Sequence, residues 1–292
     1  MLAGHGADSS VHFVLGDVGN AVLLHELFAK HASNLIFHAA AFKHVPLLEE
    51  HPFAAVENNV FCTETLVSLA EARGARVVLL STDKAVQPAS IMGATKRIAE
   101  HTVLAAGGSV LRLANVLASR DSVIEVFAQQ ITARKALTVT DPAARRYFIT
   151  LDEAVCLLIA GSMASEPHSL FVPALSTQHF VVDLARFMAR EIAPESENAI
   201  EFTRLRPGDK EFEELWSPDE TAGPVRLGSL ITIESPRMNP GRLKRTLAKM
   251  REALDLRDLP TLLEQLRLLV PGYAPSATLL SLAAQTSSRV AT

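Results

Sequence analysis

Two cysteines in 292 residues, Cys62 and Cys156, sit far apart in apolar stretches, with neither the spacing of a metal site nor a disulfide framework. A reducing, cytoplasmic setting is the expectation. No run of about 18 apolar residues is present, so no membrane segment is expected. Met1 to Ser10 lack the basic start and apolar core of an export signal. Excess positive charge is also missing: the formal net charge is -4, which gives no global field to draw nucleic acid or an anionic surface. An anionic ligand must be held by local groups.

What is there is an ordinary globular composition, 48% hydrophobic and 21% charged, in a chain long enough for one large α/β domain or two modest ones. Short apolar runs alternate with helical patterns over the first hundred residues, the signature of a parallel sheet with crossover helices. Val11 to Leu15, Asn34 to His38, Arg76 to Ser81 and Ser109 to Leu113 read as strands. Asn20 to His31, Pro52 to Arg73 and Gly93 to Ala105 read as helices, the first with Leu23, Leu24, Leu27 and Phe28 on one face and the second interrupted by polar positions. Three of the strands end in small or polar residues, at Gly16-Asp17, His38 to Ala41 and Ser81 to Lys84, the end at which open parallel sheets bind ligands. Beyond about residue 115 the pattern loosens. Leu243 to Leu269 reads as an amphipathic helix broken near Pro260, and Ser276 to Thr292 as a weakly ordered tail. The expected organisation is a Rossmann-like core over 1–135, an interleaved smaller lobe over 136–235 and a helical tail over 236–292.

The sharpest chemical feature is Ser81-Thr82-Asp83-Lys84 at a strand end, followed by Met92-Gly93-Ala94-Thr95-Lys96 opening a helix. A carboxylate beside an amine offers a proton donor and a proton acceptor in one loop. Taken alone, Asp83-Lys84 reads more readily as a solvated loop with ordinary surface charges. Its context changes that weight.

The stretch His38 to Leu47, then Glu57-Asn58-Asn59-Val60, Ser81 to Val86 and Met92 to Lys96, resembles the UDP-N-acetylglucosamine 4,6-dehydratases and their CapD-like polysaccharide-biosynthesis relatives, extended short-chain dehydrogenase/reductases. The resemblance continues through Arg112 to Leu117, Ser119 to Val123, Thr138 to Thr140, Arg146 to Thr150 and Leu205 to Lys210, and covers roughly residues 11–275. It implies oxidation of a UDP-hexose at C4 by a bound NADP or NAD, loss of water across C5 and C6, and return of the hydride to C6. Lys84 would be the base at C5, Asp83 the acid at the C6 hydroxyl, and Thr82 the partner of the C4 oxygen. Lys96 would hold the nicotinamide ribose. Asp17 and Val18 would lie near the adenine, Ala39, Ala40, Ala41 and Ser81 beside the rest of the cofactor, and Asn59 on the helix behind. Asn115, Val123, Thr140, Arg146, Arg206 and Asp209 match substrate positions, arginine being suited to a diphosphate. His38 reads as a packed residue. A homo-oligomer is the implied assembly. A nucleotide-sugar epimerase and a non-catalytic nucleotide-sugar-binding module are the alternatives.

The sequence departs from the family in three ways. Met92 stands where most short-chain dehydrogenases carry the tyrosine that takes the C4 hydroxyl proton, a task a thioether cannot perform; one branch of the family resembles this chain in that methionine. Ala114, Ala118, Asp121 and Cys62 replace glycines, and Glu125 a proline. The glycine-rich turn that binds the cofactor diphosphate is not found, since Gly4-His5-Gly6 has the wrong spacing for it. The expected fold is therefore a doubly wound parallel sheet without its first βαβ portion, truncated at the amino end, with apolar edges and unpaired backbone where the central first strand would lie.

Overall fold

The computed structural model describes residues 11–117, 119, 122–164, 166–195, 198–226 and 229–290. Gly4, Gly6, Ala118, Arg120 and Asp121 lie outside them. The elements in order are α1 (Ala21–Lys30), β1 (Leu35–His38), α2 (Val45–Glu50), α3 (Pro52–Val56), α4 (Cys62–Glu71), β2 (Arg76–Thr82), α5 (Ile91–Ala105), β3 (Ser109–Leu113) and β4 (Asn115–Val116). There follow α6 (Val123–Thr132), β5 (Leu137–Val139), β6 (Arg145–Arg146), β7 (Phe148–Ile149), α7 (Leu151–Ala164), β8 (Leu170–Pro173), β9 (His179–Phe180), α8 (Val181–Ile192) and β10 (Ile200–Phe202). The chain continues with β11 (Thr221–Arg226), β12 (Leu230–Glu234), α9 (Pro240–Asp255), α10 (Leu259–Leu269) and α11 (Ala277–Val290).

The main sheet has the order β1-β2-β3-β8-β12-β11. Its first four strands run parallel, and β12 and β11 close it antiparallel. β2 and β3 are near-continuous apolar runs because both their faces are covered, as parallel sheets require. The smaller pairs β5–β10, β4–β7 and β6–β9 lie outside the main sheet, while β8, β11 and β12 from the same stretch of chain return to it.

Two expectations fail. Val11 to Leu15 forms no strand: it has no regular secondary structure, with Phe13 81% exposed and Leu15 fully so. A strand needs a ladder partner, and no described residue supplies one. The outer edge of β1 is open in the same way, leaving Leu35 and Phe37 part-exposed. Only two of the three expected strand ends, after β1 and β2, therefore belong to the sheet. The carboxyl-terminal segment fails in the opposite sense. It is not loose: Ser276 accepts from the Leu279 amide and donates to Glu49, and α11 buries Leu279 and Ala283 in the core that α2, α5, α9 and α10 share.

The helix expected over 52–73 is continuous but contains a π-helical turn at Glu57–Phe61 between α3 and α4. The extra residue in that turn rotates Asn59 to a buried position facing the loop after β1. α5 starts at Ile91, two residues before the pattern suggests. Ser90 caps its amide at Gly93, and Glu49 accepts from the amide of Ile91.

Candidate active site

β2 carries the chain out of the sheet at Thr82, and a single 3-10 turn over Asp83–Ala85 follows. The Thr82 hydroxyl donates to Asp83 Oδ1 at 2.9 Å and accepts from the Lys84 amide at 3.3 Å. The Lys84 ammonium donates to Asp83 Oδ1 at 3.0 Å and to Asn115 Oδ1 at 3.3 Å. Asp83 is buried, and its other oxygen has no hydrogen-bond partner. Gly93 fixes the approach of α5 to this turn. A Cβ there would stand 2.2 Å from the Lys84 carbonyl oxygen, so only glycine lets the helix start so close.

A residue that the motifs do not single out completes the group. Glu213, in the loop before β11, is buried with Oε1 3.6 Å from the Lys84 ammonium and 3.9 Å from Arg146 Nε, while Oε2 has no partner. Its backbone carbonyl accepts from Gln178. Arg146 donates to the carbonyls of Lys210 and Glu211, and so holds the loop that carries Glu213. Burial pulls the Lys84 ammonium down, but Asp83 and Glu213 outweigh it and hold it above the ordinary lysine range. Burial, supported by the Asp83 charge, raises Glu213 above the usual carboxylate range against the pull of Lys84. Sequence reasoning missed Glu213 because Glu211-Phe212-Glu213-Glu214 carries no spacing signal; only the loop's return to β2 selects one carboxylate of the three.

Lys96, on α5, is buried and donates to the Leu80 carbonyl at 2.8 Å. Burial lowers it to about 8, with Glu100 acting in the opposite direction. Ser81 donates to Glu100, which also receives Arg112 through two nitrogens at 2.9 Å. Arg112, fully buried, makes a second paired contact with Glu220, and Arg97 bridges both carboxylates. Two cations and two anions thus neutralise one another next to the end of β2. Met92 does not face this chemistry: it packs in the apolar core with Val45, Ile91 and Leu243.

On the β1 side, Ala39 and Ala40 are exposed and Ala41 half-exposed at the strand's carboxyl end. Asn59 holds the loop that follows, accepting from the Phe42 amide and donating to the Phe42 carbonyl and the Thr95 hydroxyl. His38 bonds Thr63 and is lowered to about 4 by burial and by Lys96, a packed neutral ring. Asp17 caps the amide of Gly19, and Val18 is half-buried beside it. Thr82, Asp83, Lys84, Asn115 and Arg146 are brought together. Arg206 and Asp209 pair with each other at 2.9 Å across a turn at Gly208, and Val123 opens α6. The Thr140 carbonyl accepts from the Arg204 amide. A cavity of about 310 Å³ lined by Ile149, Cys156, Leu157 and Leu175 includes none of these groups.

Residues 3–235 match the family model described as polysaccharide biosynthesis protein. The chain is 39% identical over 217 residues to the probable polysaccharide biosynthesis protein EpsC of Bacillus subtilis, covering 72% of this chain and 36% of that one. It is 36% identical over 245 residues to the capsular polysaccharide biosynthesis protein CapD of Staphylococcus aureus, covering 75% and 41%. It thus spans about two fifths of the length of these relatives. A UDP-glucose 4-epimerase of Rickettsia canadensis is 34% identical, over 78% of this chain and 68% of that one. Among solved structures, Pen of Bacillus thuringiensis superposes with a TM-score of 0.72 at 31% identity, covering 78% and 74%. The dTDP-glucose 4,6-dehydratase DesIV of Streptomyces venezuelae, solved with NAD bound, shares the fold alone, at a TM-score of 0.64 and 20% identity over 73% and 72%. With its parallel sheet, its Thr-Asp-Lys turn and these matches, the chain belongs to the CapD-like polysaccharide biosynthesis family of extended short-chain dehydrogenase/reductases.

Proposed function

We propose that this chain carries the acid–base machinery of a nucleotide-sugar 4,6-dehydratase, acting on UDP-N-acetylglucosamine to give a UDP-4-keto-6-deoxy sugar for surface polysaccharide or glycan synthesis. The observation that carries the reading is the hydrogen-bonded line from Thr82 through the buried Asp83 to Lys84. Elimination across C5 and C6 needs an acid at one carbon and a base at the next. Adjacent residues on one tight turn present such a pair to neighbouring atoms of a sugar. Asp83 would protonate the departing C6 hydroxyl and Lys84 would take the C5 proton. Thr82 would accept the C4 hydroxyl proton while passing its own to Asp83, which replaces the tyrosine that Met92 does not supply. Asn115 accepts from the Lys84 head group and would orient it, and Arg146, Arg206, Thr140, Val123 and Asp209 would receive the UDP portion.

NADP or NAD would supply the hydride acceptor for C4 and the donor for C6. Lys96, with donors beyond the one it gives Leu80, and the small residues Ala39, Ala40 and Ala41 fit the nicotinamide and ribose end of such a cofactor. Asn59 and Ser81 hold that wall in place, and Asp17 and Val18 lie on the turn before α1. No glycine-rich turn stands among the described residues to meet the diphosphate.

An epimerase is the second reading, favoured by the name of the Rickettsia relative. Mass spectrometry of UDP-N-acetylglucosamine incubated with the chain and NADP or NAD separates the two. A product lighter by one water, abolished in Asp83→Asn and Lys84→Ala by at least about a hundredfold, is the expected outcome. An isomer of unchanged mass would replace the dehydratase by the epimerase, and UDP binding without conversion would leave a nucleotide-sugar-binding module.

A further inference from the structure

The dehydratase reading sets a proton requirement that Asp83 and Lys84 cannot meet alone. Lys84 rests as an ammonium between two carboxylates, so it has no lone pair for the C5 proton until it gives one proton away. The C4 hydroxyl must also lose a proton before its hydride can leave. Two protons therefore need two acceptors, and Met92 removes the tyrosine that elsewhere serves as one of them. Among the described residues around the Lys84 head group, the anionic groups are Asp83 and Glu213; Arg146 and Lys210 are the other charges, both cationic.

We propose that Glu213 is a positioning residue that stores the spare proton of Lys84 during the reaction. The inference rests on the dehydratase reading. The balance closes as follows. The C4 hydroxyl proton passes to Thr82, whose own proton goes to Asp83, while the Lys84 ammonium gives one proton to Glu213. Both carboxyls are then neutral and the amine is free. The C5–H bond breaks, its proton joins the Lys84 nitrogen, and its electron pair forms the C5–C6 double bond. The C6–O bond breaks towards oxygen, which takes the Asp83 proton and leaves as water. The bound cofactor would supply the hydride for C6, and the Lys84 proton returns to C5. Glu213 gives its proton back to the amine, and every group ends as it began.

Three features fit this role. Glu213 Oε1 stands 3.6 Å from the ammonium, close enough to exchange a proton with modest closure. The carboxyl is 2% exposed, so bulk water does not compete for it. Its second oxygen has no partner, as does the second oxygen of Asp83, which leaves each carboxyl an unoccupied site for a proton.

The test uses the chain alone, with neither cofactor nor substrate. Nitrogen NMR of the Lys84 side chain, titrated with pH, should give an upper midpoint that falls in Glu213→Gln and returns in Glu213→Asp. An unchanged midpoint in a folded Glu213→Gln protein would overturn the proposal. Should that variant not fold, the carboxyl carbon of Glu213 is followed in the unaltered chain. A midpoint above the ordinary glutamate range supports the role, and an ordinary one overturns it. With substrate and cofactor bound, Glu213→Gln should lose on the order of tenfold in kcat or more with KM unmoved, the loss shrinking as pH rises past the Lys84 midpoint and the amine no longer needs an acceptor. Failure of water loss in the unaltered enzyme would instead sink the dehydratase reading, an outcome the lysine titration does not share.

Discussion

At the residue scale, the molecule depends on a network of buried, paired charges under β2 and β3. Arg112 holds Glu100 and Glu220 from the middle of β3, with no exposure of any of the three side chains. Replacing it with methionine removes the cation and leaves two carboxylates in a dry site. Arg112→Met should lose about 3–5 kcal/mol, read by urea denaturation. The same network predicts an acid limit. Burial tends to raise Glu100, but Arg112, Arg97 and Ser81 hold it down at about 2. A carboxylate depressed on folding contributes stability that is present above its ordinary value of 4.5 and lost as pH falls towards 2. His38 and His101, both lowered from 6.5 to about 4 chiefly by burial, act earlier. The unfolded chain gains their protons first, so stability should begin to fall below pH 6.5. Denaturation midpoints between pH 7 and 3 check both windows; a flat profile from 6.5 to about 4 would contradict the histidine assignment.

At the element scale, local geometry aims the groups. The π-helical turn at Glu57–Phe61 delivers Asn59 to both backbone groups of Phe42, a service no regular helix would perform at that position. Asn59→Ala should cost about 1–3 kcal/mol, because the Phe42 amide and carbonyl lose a buried partner. It should also raise proteolytic cleavage after the alanine stretch. If cleavage there stays at the parent rate, Asn58, which also accepts from the Phe42 amide, carries the loop instead. Gly93→Ala pushes a methyl into the carbonyl of Lys84. It should displace the Asp83–Lys84 turn, with a loss of about 1–3 kcal/mol in stability and of activity together. Much of this level was legible in sequence: strands at 34–38, 76–81 and 109–113 follow from apolar, β-branched runs. The π turn was not, because the polar positions that interrupt the 52–73 pattern describe an irregular helix without saying which residue turns inward.

At the scale of the whole molecule, one side of the sheet is finished and the other open. Beyond β3 the sheet continues through β8, β12 and β11, and α9 to α11 cover the core, so removing residues from 277 onward should lower the melting temperature by exposing Leu243, Leu262 and their neighbours. Beyond β1 nothing among the described residues pairs, and Phe13, Leu15, Leu35 and Phe37 face outward. An unpaired apolar edge templates association. Phe37→Lys should therefore reduce light scattering of the concentrated chain while leaving its melting temperature within a degree or so; unchanged scattering would place the association elsewhere.

The sequence by itself determined the parallel core, the helix start at Asn20 and the dense motif that carries Thr82, Asp83, Lys84 and Lys96, because periodicity and motif density are properties of neighbours along the chain. It assigned a strand to 11–15 and looseness to 276–292, and over the described residues tertiary structure decided otherwise in both. A strand exists only if another chain segment donates to it, and a tail orders only if a core accepts its apolar face. The tertiary structure alone selected Glu213, which reaches Lys84 from more than a hundred residues away, and joined Glu100, Glu220, Arg112 and Arg97 into one neutral group. Proton affinity inside a protein depends on which charges share a dry volume, and that is fixed by how the loops return to the sheet rather than by the order of residues along them.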